Sequence, residues 1–206
     1  MKKVLISVVG PTAIGKTKLA IAIAKHFSTE IISADSRQFY KEMNIGTAVP
    51  SDEELKSVTH HFIQHKSVTE VYSVGDFERE ALQQLEKLFK KQNIVVLVGG
   101  SGLYVDAVTK GLNNFPEIDS KIRIALKEKL QANGLITLQE QLKQLDPKYY
   151  NKVDLENPHR VIRALEVCLG SGHPYSSFID QPKPVRPFHT MSIGLAADRK
   201  IIYDRI

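Results

Sequence analysis

The sequence predicts an α/β fold in which helices flank a parallel sheet and an all-helical segment interrupts it. Three observations support this prediction. Apolar strand patterns alternate with helical patterns along much of the chain, which is typical of α/β domains. A complete glycine-rich phosphate-binding motif follows the first strand pattern. Strand patterns then disappear between residues 111 and 187, where helical patterns take over.

Four segments have the composition of buried strands: residues 3–9, 30–34, 93–98 and 191–194. The first and third are nearly continuous runs of Val, Ile and Leu, as expected for parallel strands covered on both faces. Helical patterns cover residues 17–27 and 73–92. The second of these begins with Ser73 and Asp76, whose spacing is that of a capping box.

Residues 10–17 read Gly-Pro-Thr-Ala-Ile-Gly-Lys-Thr and match the P-loop pattern G-x-x-x-x-G-K-[ST] between a strand and a helix. The glycines let successive N–H groups turn toward phosphate oxygens, and the helix N-terminus favours an anion. Lys16 adds a full positive charge, and the Thr17 hydroxyl can hold Mg²⁺. The motif therefore predicts a P-loop NTPase-like core that binds a diphosphate or polyphosphate. The predicted phosphate-binding residues are Gly10, Pro11, Thr12, Ala13, Ile14, Gly15, Lys16 and Thr17.

An acidic residue follows the second strand instead of a later one. Asp35 comes directly after residues 30–34, whereas the strand at 93–98 continues into Gly-Gly-Ser-Gly, residues 99–102. A nucleotide-hydrolysing P-loop enzyme usually has its magnesium-positioning Asp elsewhere in the sheet. Because the carboxyl ends of parallel strands share one edge, Asp35 and Ser101 should lie beside the phosphate loop. Asp35 is then a candidate base or metal ligand; the alternative is a simple turn cap.

The helical segment, residues 111–187, is predicted to be an insertion in a core made of residues 1–110 and 188–206. Its helical patterns are 119–133, which stops at Asn133-Gly134, then 137–145, and then a helix from Asn157-Pro158 to Gly170. Prolines at 182, 184 and 187 indicate a linker back to the sheet. A short helix begins after Asp198, and we expect the sequence to be a piece of a longer protein.

The third helix of the insertion carries two arginines. Arg160 and Arg163 are three residues apart and so share a face, which suits phosphate or nucleic acid. The alternative is a solvated face on which Arg163 pairs with Glu166. The predicted buried stripe of this helix is Val161, Leu165, Cys168 and Leu169.

Composition limits the remaining possibilities. The formal net charge is +5, which is compatible with a polyanionic partner but does not require one. Cys168 is the single cysteine, so an internal disulfide and a cysteine metal cluster are excluded, and we expect a cytoplasmic protein. We interpret His60, His61 and His65 as loop residues without a metal. No segment approaches transmembrane length, so we expect no membrane partner.

Four segments together resemble the tRNA dimethylallyltransferase family, also called tRNA isopentenyl transferases. They are residues 10–17, residues 32–38 with 44–48, residues 98–104 and residues 157–166. The resemblance runs over essentially the whole chain. Members usually have Thr where this chain has Ser101, and they continue well beyond the helix that begins after Asp198.

The resemblance implies a reaction in which the N6 amine of the adenosine 3′ of a tRNA anticodon attacks C1 of dimethylallyl diphosphate. Asp35 would be the general base, with Lys16, Thr17, Ser101 and Mg²⁺ assisting. Arg205 would reach the diphosphate, and the protein would act as a monomer on the anticodon stem-loop. The tRNA-binding residues implied are Asp35, Ser36, Arg37, Gln38, Ser101, Arg123, His159, Arg160, Val161, Ile162 and Arg163.

Three other functions are compatible with the motifs. A small-molecule or nucleotide kinase could use the same phosphate loop, with arginines on a lid. An isopentenyl transferase acting on free adenine nucleotides would share the chemistry, although the helical insertion favours tRNA. A nucleotide-gated RNA-binding module would need no base at Asp35.

Overall fold

The computed structural model describes residues 2–205 and contains a five-stranded, wholly parallel sheet. The strands, in chain order, are β1 (Val4–Val9), β2 (Ile31–Ser33), β3 (His60–His61), β4 (Ile94–Gly99) and β5 (His189–Gly194). Their order in the sheet is β3-β2-β4-β1-β5, so the phosphate-loop strand lies between β4 and β5. The predicted α/β class and parallel sheet are confirmed.

Nine helices appear in the part of the chain that the structure describes. They are α1 (Lys16–His26), α2 (Asp52–Ser57), α3 (Val74–Leu88), α4 (Gly102–Lys110), α5 (Ser120–Leu145), α6 (Pro147–Tyr150), α7 (Pro158–Ser171), α8 (Tyr175–Ile179) and α9 (Arg199–Tyr203). The capping box predicted at Ser73 and Asp76 is present and begins α3.

Alternation along the strands places apolar side chains on both faces of the sheet. On one face, Ile6, Val8, Ile31, Val96 and Val98 pack with Ala20, Ile21 and Ala24 of α1. On the other, Leu5, Ile32, Val95 and Leu97 pack with residues of α3 and α4, such as Phe77 and Val105. The two covered faces explain why the β1 and β4 sequences are apolar at nearly every position.

The chain divides into two compact units. One comprises the residues up to Leu112 and those from Pro184 onward; it contains the sheet and the phosphate loop. The other, Asn113–Lys183, is entirely helical and has its own core around Leu126, Leu138, Leu142 and Leu165.

Within the helical unit, two glycines change the predicted helix ends. Gly134 leaves helical geometry at φ 76° and breaks α5 at the predicted stop, although the helix resumes directly after it. Gly170 does not end α7, since the left-handed residue that follows the helix is Gly172. A Cβ on Gly170 would lie 2.5 Å from Ile118, so glycine here permits close packing inside the helix. Leu169, predicted to be buried, is 43% exposed.

Three elements near the sheet were not predicted. The interpretation of His60 and His61 as loop residues was wrong: they form β3, a two-residue edge strand paired with Ile31 and Ile32. A strand of two polar residues shows no alternation of apolar and polar positions, so its sequence does not predict it. It forms because the edge of β2 is open to pairing. Helices α2 and α4 were also missed.

Candidate active site

The phosphate loop connects β1 to α1 and has the backbone shape of an anion site. Gly10 and Gly15 have φ values of 152° and 101°, and Ala13 between them is left-handed at 61°. No side chain caps the N-terminus of α1, whereas Ser51, Ser73, Asp119 and Asn157 cap α2, α3, α5 and α7. The first turn of α1 therefore keeps N–H groups available to a phosphate.

Lys16 and Asp35 meet beside the glycine turn that follows β4. A methyl group on Gly100 would lie 3.4 Å from Asp35 Oδ2 and 3.8 Å from Lys16 Nζ. Because Gly100 has no side chain, the space between carboxylate and ammonium stays open. Burial lowers the pKa of Lys16, and the Asp35 charge opposes that shift. Lys16 Nζ also donates to the Pro11 carbonyl at 2.6 Å, which folds its side chain back over the loop.

The loops after β2 and β4 are joined by a pair of serines. The Ser36 N–H donates to Ser101 Oγ at 3.0 Å, and the two hydroxyl oxygens are 3.1 Å apart. Asp35 Oδ1 accepts the Arg37 N–H at 3.1 Å, so Asp35 does cap a turn. Its other oxygen, Oδ2, is the one beside Gly100. The two interpretations of Asp35 are thus compatible, because each oxygen has its own role.

Lys16 and Asp35 line one cleft of about 390 Å³. It contains the phosphate loop, Asp35, Arg37 and Gly46 to Val49, of which residues 46–48 belong to a segment that carried the family resemblance. An adjoining pocket of about 20 Å³ is lined by Lys16, Thr17, Asp35 and, unexpectedly, His60. The parallel sheet predicts this location, since ligands of α/β sheets bind beyond the carboxyl ends of the strands.

Larger hollows of about 650 and 450 Å³ lie at the other end of the strands, around Lys3, Arg186 and Phe188. The arginine that lines both hollows is already paired within the protein. The Arg186 guanidinium is engaged by Glu78 and by the carbonyls of Ala107 and Val108. It therefore serves to fix the chain where it re-enters the sheet-containing unit.

The sequence-predicted tRNA residues of α7 differ in accessibility. His159 and Arg160 are exposed, whereas Val161 and Ile162 are buried in the core of the helical unit. The Val161 and Ile162 side chains therefore support the helix rather than present a contact surface. Arg163 is half-buried: its Nη1 is 3.1 Å from Glu166 Oε2, and its guanidinium lies 5.1 Å from the Phe115 ring. The pairing of Arg163 with Glu166 that the sequence left open is present.

Comparison with known proteins identifies the family. The model of a family described as IPP transferase matches residues 38–206. A tRNA dimethylallyltransferase from Christiangramia forsetii is 57% identical over the whole chain, which covers 68% of that protein, and one from Flavobacterium johnsoniae is 58% identical over 99% of the chain. The chain belongs to the IPP transferase family.

Solved structures agree with the IPP transferase assignment. The full-length tRNA isopentenylpyrophosphate transferase of Bacillus halodurans is 37% identical, with a TM-score of 0.61; the comparison covers all of this chain and 63% of that one. A eukaryotic dimethylallyltransferase described as acting on tRNA is 26% identical, with a TM-score of 0.80, over 98% of this chain and 50% of that one. The chain thus spans about two thirds of the length of its bacterial relatives. The family members named here are enzymes, and so is this one.

Within this IPP transferase site, the structure brings together the phosphate loop, Asp35, Ser36, Arg37, Gln38 and Ser101. Arg123 and the α7 residues belong to the helical unit. Arg205 is exposed on the turn after α9 and does not line the cleft. The side chain of Gln38 is buried, and its amide is bonded to protein groups.

Across residues 2–205, His, Cys, Asp and Glu side chains do not gather in a group of three that could hold a metal ion. In the same part of the chain, no helix has the length and apolar character needed to cross a membrane.

Proposed function

We propose that this chain transfers a dimethylallyl group from dimethylallyl diphosphate to N6 of the adenosine 3′ of a tRNA anticodon, with release of diphosphate. The observation that carries the proposal is the arrangement around Gly100. A carboxylate from the end of β2 and the phosphate-loop ammonium face the same open space. A base and an anion-binding group at one point suit transfer of a carbon group from a diphosphate to an amine.

The diphosphate would occupy the phosphate loop. Gly10 to Thr17 supply backbone N–H groups and the uncapped start of α1, and Lys16 supplies the countercharge for the leaving group. In the reaction, the N6 lone pair forms the new bond to C1 while the bond from C1 to the diphosphate oxygen breaks. The diphosphate keeps that electron pair, and the N6 proton passes to Asp35. The nucleophile is an amine, so no water needs activation.

Magnesium fits the donor set of this cleft. Thr17 and Asp35 offer a hydroxyl and a carboxylate at the same place, which are ligand types that Mg²⁺ accepts together with substrate phosphates and water. The protein alone does not provide a full coordination shell, as expected for an ion bound mainly through a diphosphate. We propose Thr17 as its principal protein ligand. When bound, the ion would neutralise charge on the leaving group.

tRNA is the proposed acceptor. The adenine must leave the stacked anticodon loop to reach Asp35, at a cost of a few kcal/mol that contacts elsewhere must offset. Exposed His159 and Arg160, with Arg123 and Arg163, are the proposed sources of such contacts in the helical unit. We place the reaction in the cytoplasm, because Cys168 is a free and buried thiol that suits a reducing compartment.

The deciding experiment incubates the full-length protein with labelled dimethylallyl diphosphate and unmodified tRNA. The wild type should transfer label to tRNA, and Asp35→Ala should reduce kcat by roughly 10²–10⁴-fold, the usual contribution of a general base. Asp106→Ala is the matched control, because Asp106 is a half-exposed carboxylate on α4 that pairs with Lys110. It should behave as wild type.

Each alternative function has its own outcome in this assay. A wild-type protein that transfers no label to tRNA contradicts the proposal. Label transferred to free AMP in preference to tRNA indicates a nucleotide isopentenyl transferase, and rapid γ-phosphate release from ATP indicates a kinase. tRNA binding that persists with no chemistry in either protein indicates an RNA-binding module.

A further inference from the structure

Gln38 is the most fully engaged side chain at the cleft. It is buried, and its Oε1 accepts a hydrogen bond from Ser33 Oγ at 3.1 Å. Its Nε2 donates to the carbonyls of Thr47 at 3.2 Å and Ala48 at 2.8 Å. Only one orientation of the amide satisfies these partners, because the two carbonyls can only accept. The hydrogen-bonding groups of Gln38 are therefore bonded to protein rather than directed at a ligand.

The segment that Gln38 holds forms part of the cleft wall. Gly46, Thr47, Ala48 and Val49 line the same cleft as the phosphate loop and Asp35. Two of these residues have left-handed backbones, Gly46 at φ 72° and Ala48 at φ 49°. For alanine this conformation is disfavoured, and it persists only where surrounding contacts enforce it. The two bonds from Gln38 Nε2 are contacts of that kind.

Residues 46–49 have few other contacts that hold them on the side that faces solvent. Thr47 is buried and its hydroxyl donates to the Met43 carbonyl at 2.6 Å, but Ala48 is exposed and the Ile45 side chain is 96% exposed. Ala48 and Val49 also give the cleft an apolar surface beside its charged groups. A prenyl diphosphate needs both, since it has an anionic end and a branched five-carbon end.

We propose that Gln38 is a positioning residue for the prenyl diphosphate, which it serves by holding residues 46–49 as a wall of the phosphate-loop cleft. This inference rests on the proposed function and assigns Gln38 a different role from the tRNA contact that the family resemblance implied. Its effect should fall on the diphosphate substrate, because the amide nitrogen donates to this wall rather than to a ligand.

The test uses Gln38→Met in the full-length protein, since Met has a similar length without hydrogen-bonding capacity. KM for dimethylallyl diphosphate should rise roughly tenfold, the equivalent of losing one to two net hydrogen bonds. The Kd for unmodified tRNA, measured by filter binding without the diphosphate, should not change. A weaker tRNA Kd with an unchanged KM for the diphosphate would show that Gln38 reads the base and would overturn the inference, as would no change in either.

Two further variants separate positioning from general stability. Ser33→Ala removes the donor that orients the amide, and it should raise the same KM by a smaller factor even if Gln38→Met fails to fold. Ala48→Gly removes the penalty of the left-handed backbone, so Gln38→Met/Ala48→Gly should bind the diphosphate more tightly than Gln38→Met alone. If the double variant binds the diphosphate no more tightly than Gln38→Met alone, Gln38 does not act by holding residues 46–49. If the wild type transfers no label to tRNA, the proposed function itself fails, which is a separate result.

Discussion

Ser36 and Ser101 join the ends of two neighbouring strands: the Ser36 N–H donates to Ser101 Oγ at 3.0 Å, with the hydroxyl oxygens 3.1 Å apart. The bond fixes the loop after β2 against the start of α4. Asp35 immediately precedes Ser36, so the position of the proposed base relative to Gly100 depends on this pair. Ser101 is consequently a structural partner of the site as well as a candidate contact for RNA.

Replacing Ser101 tests this relationship. Ser101→Ala removes an acceptor and a hydroxyl partner, and at about 1 kcal/mol for a net hydrogen bond it should lower kcat roughly fivefold. Ser101→Thr keeps the oxygen and should retain wild-type kcat, in line with the threonine that the family usually has here. Steady-state transfer to tRNA measures both. Equal losses in the two variants would show that steric fit, not the hydroxyl, controls the site.

Lys16 should be required for the diphosphate rather than for tRNA. Lys16→Met removes the only ammonium beside Gly100 among the described residues and should lower kcat/KM for dimethylallyl diphosphate by roughly 10²–10³-fold. Lys25→Met is the control, because Lys25 is exposed in the last turn of the same helix. A loss of tRNA affinity with intact diphosphate binding would refute the assignment of Lys16 to the leaving group.

The sheet, the phosphate loop and the place of Asp35 could be predicted from the sequence because they depend on local patterns. The apolar runs of β1 and β4 reflect strands covered on two faces, and the P-loop motif defines its own backbone. Asp35 could be placed because it directly follows a strand that ends at the same edge as the loop. These features need only neighbouring residues and the rule for parallel sheets.

The features that were missed depend on contacts between distant or weakly patterned segments. β3 is two residues long and exists through its pairing with β2. The bonds from Gln38 to Thr47 and Ala48 join the turn after β2 to a separate loop, and no sequence periodicity indicates them. Gly170 resembled a helix stop, but its close approach to Ile118 is a tertiary contact. Such residues could be interpreted only once packing was known.

His65 should make stability depend on pH. It lies among the rings of Phe39, Phe62 and Tyr72. Burial lowers its pKa, and the positive charges of Lys66 and Lys41 lower it further. The carboxylates of Glu80 and Glu70 oppose this shift. Because the unfolded chain binds a proton there more readily, stability falls as pH drops below about 6.5, the ordinary histidine pKa, toward the lower pKa of the folded state. His65→Phe should flatten the dependence of Tm on pH between 5 and 8. Exposed His173→Phe should not, and equal pH slopes in wild type and His65→Phe would refute the role of His65.

Arg160 and Arg163 should both bind the tRNA backbone, but only Arg163 should also contribute to the stability of the fold. Arg160 is exposed, so Arg160→Ala should weaken binding for every tRNA and lower the slope of log K against log salt by about one. Arg163 also pairs with Glu166, whose side chain is 7% exposed and whose other cationic partner is Arg123 at 3.8 Å. Arg163→Ala should therefore lower Tm in addition to the salt slope, because a buried carboxylate loses its nearer partner.

Filter binding at several salt concentrations, with thermal unfolding of each variant, distinguishes the two arginines. Lys127→Ala, an exposed charge on α5, is the control, and salt slopes that match wild type in both arginine variants would exclude this helix face from tRNA binding.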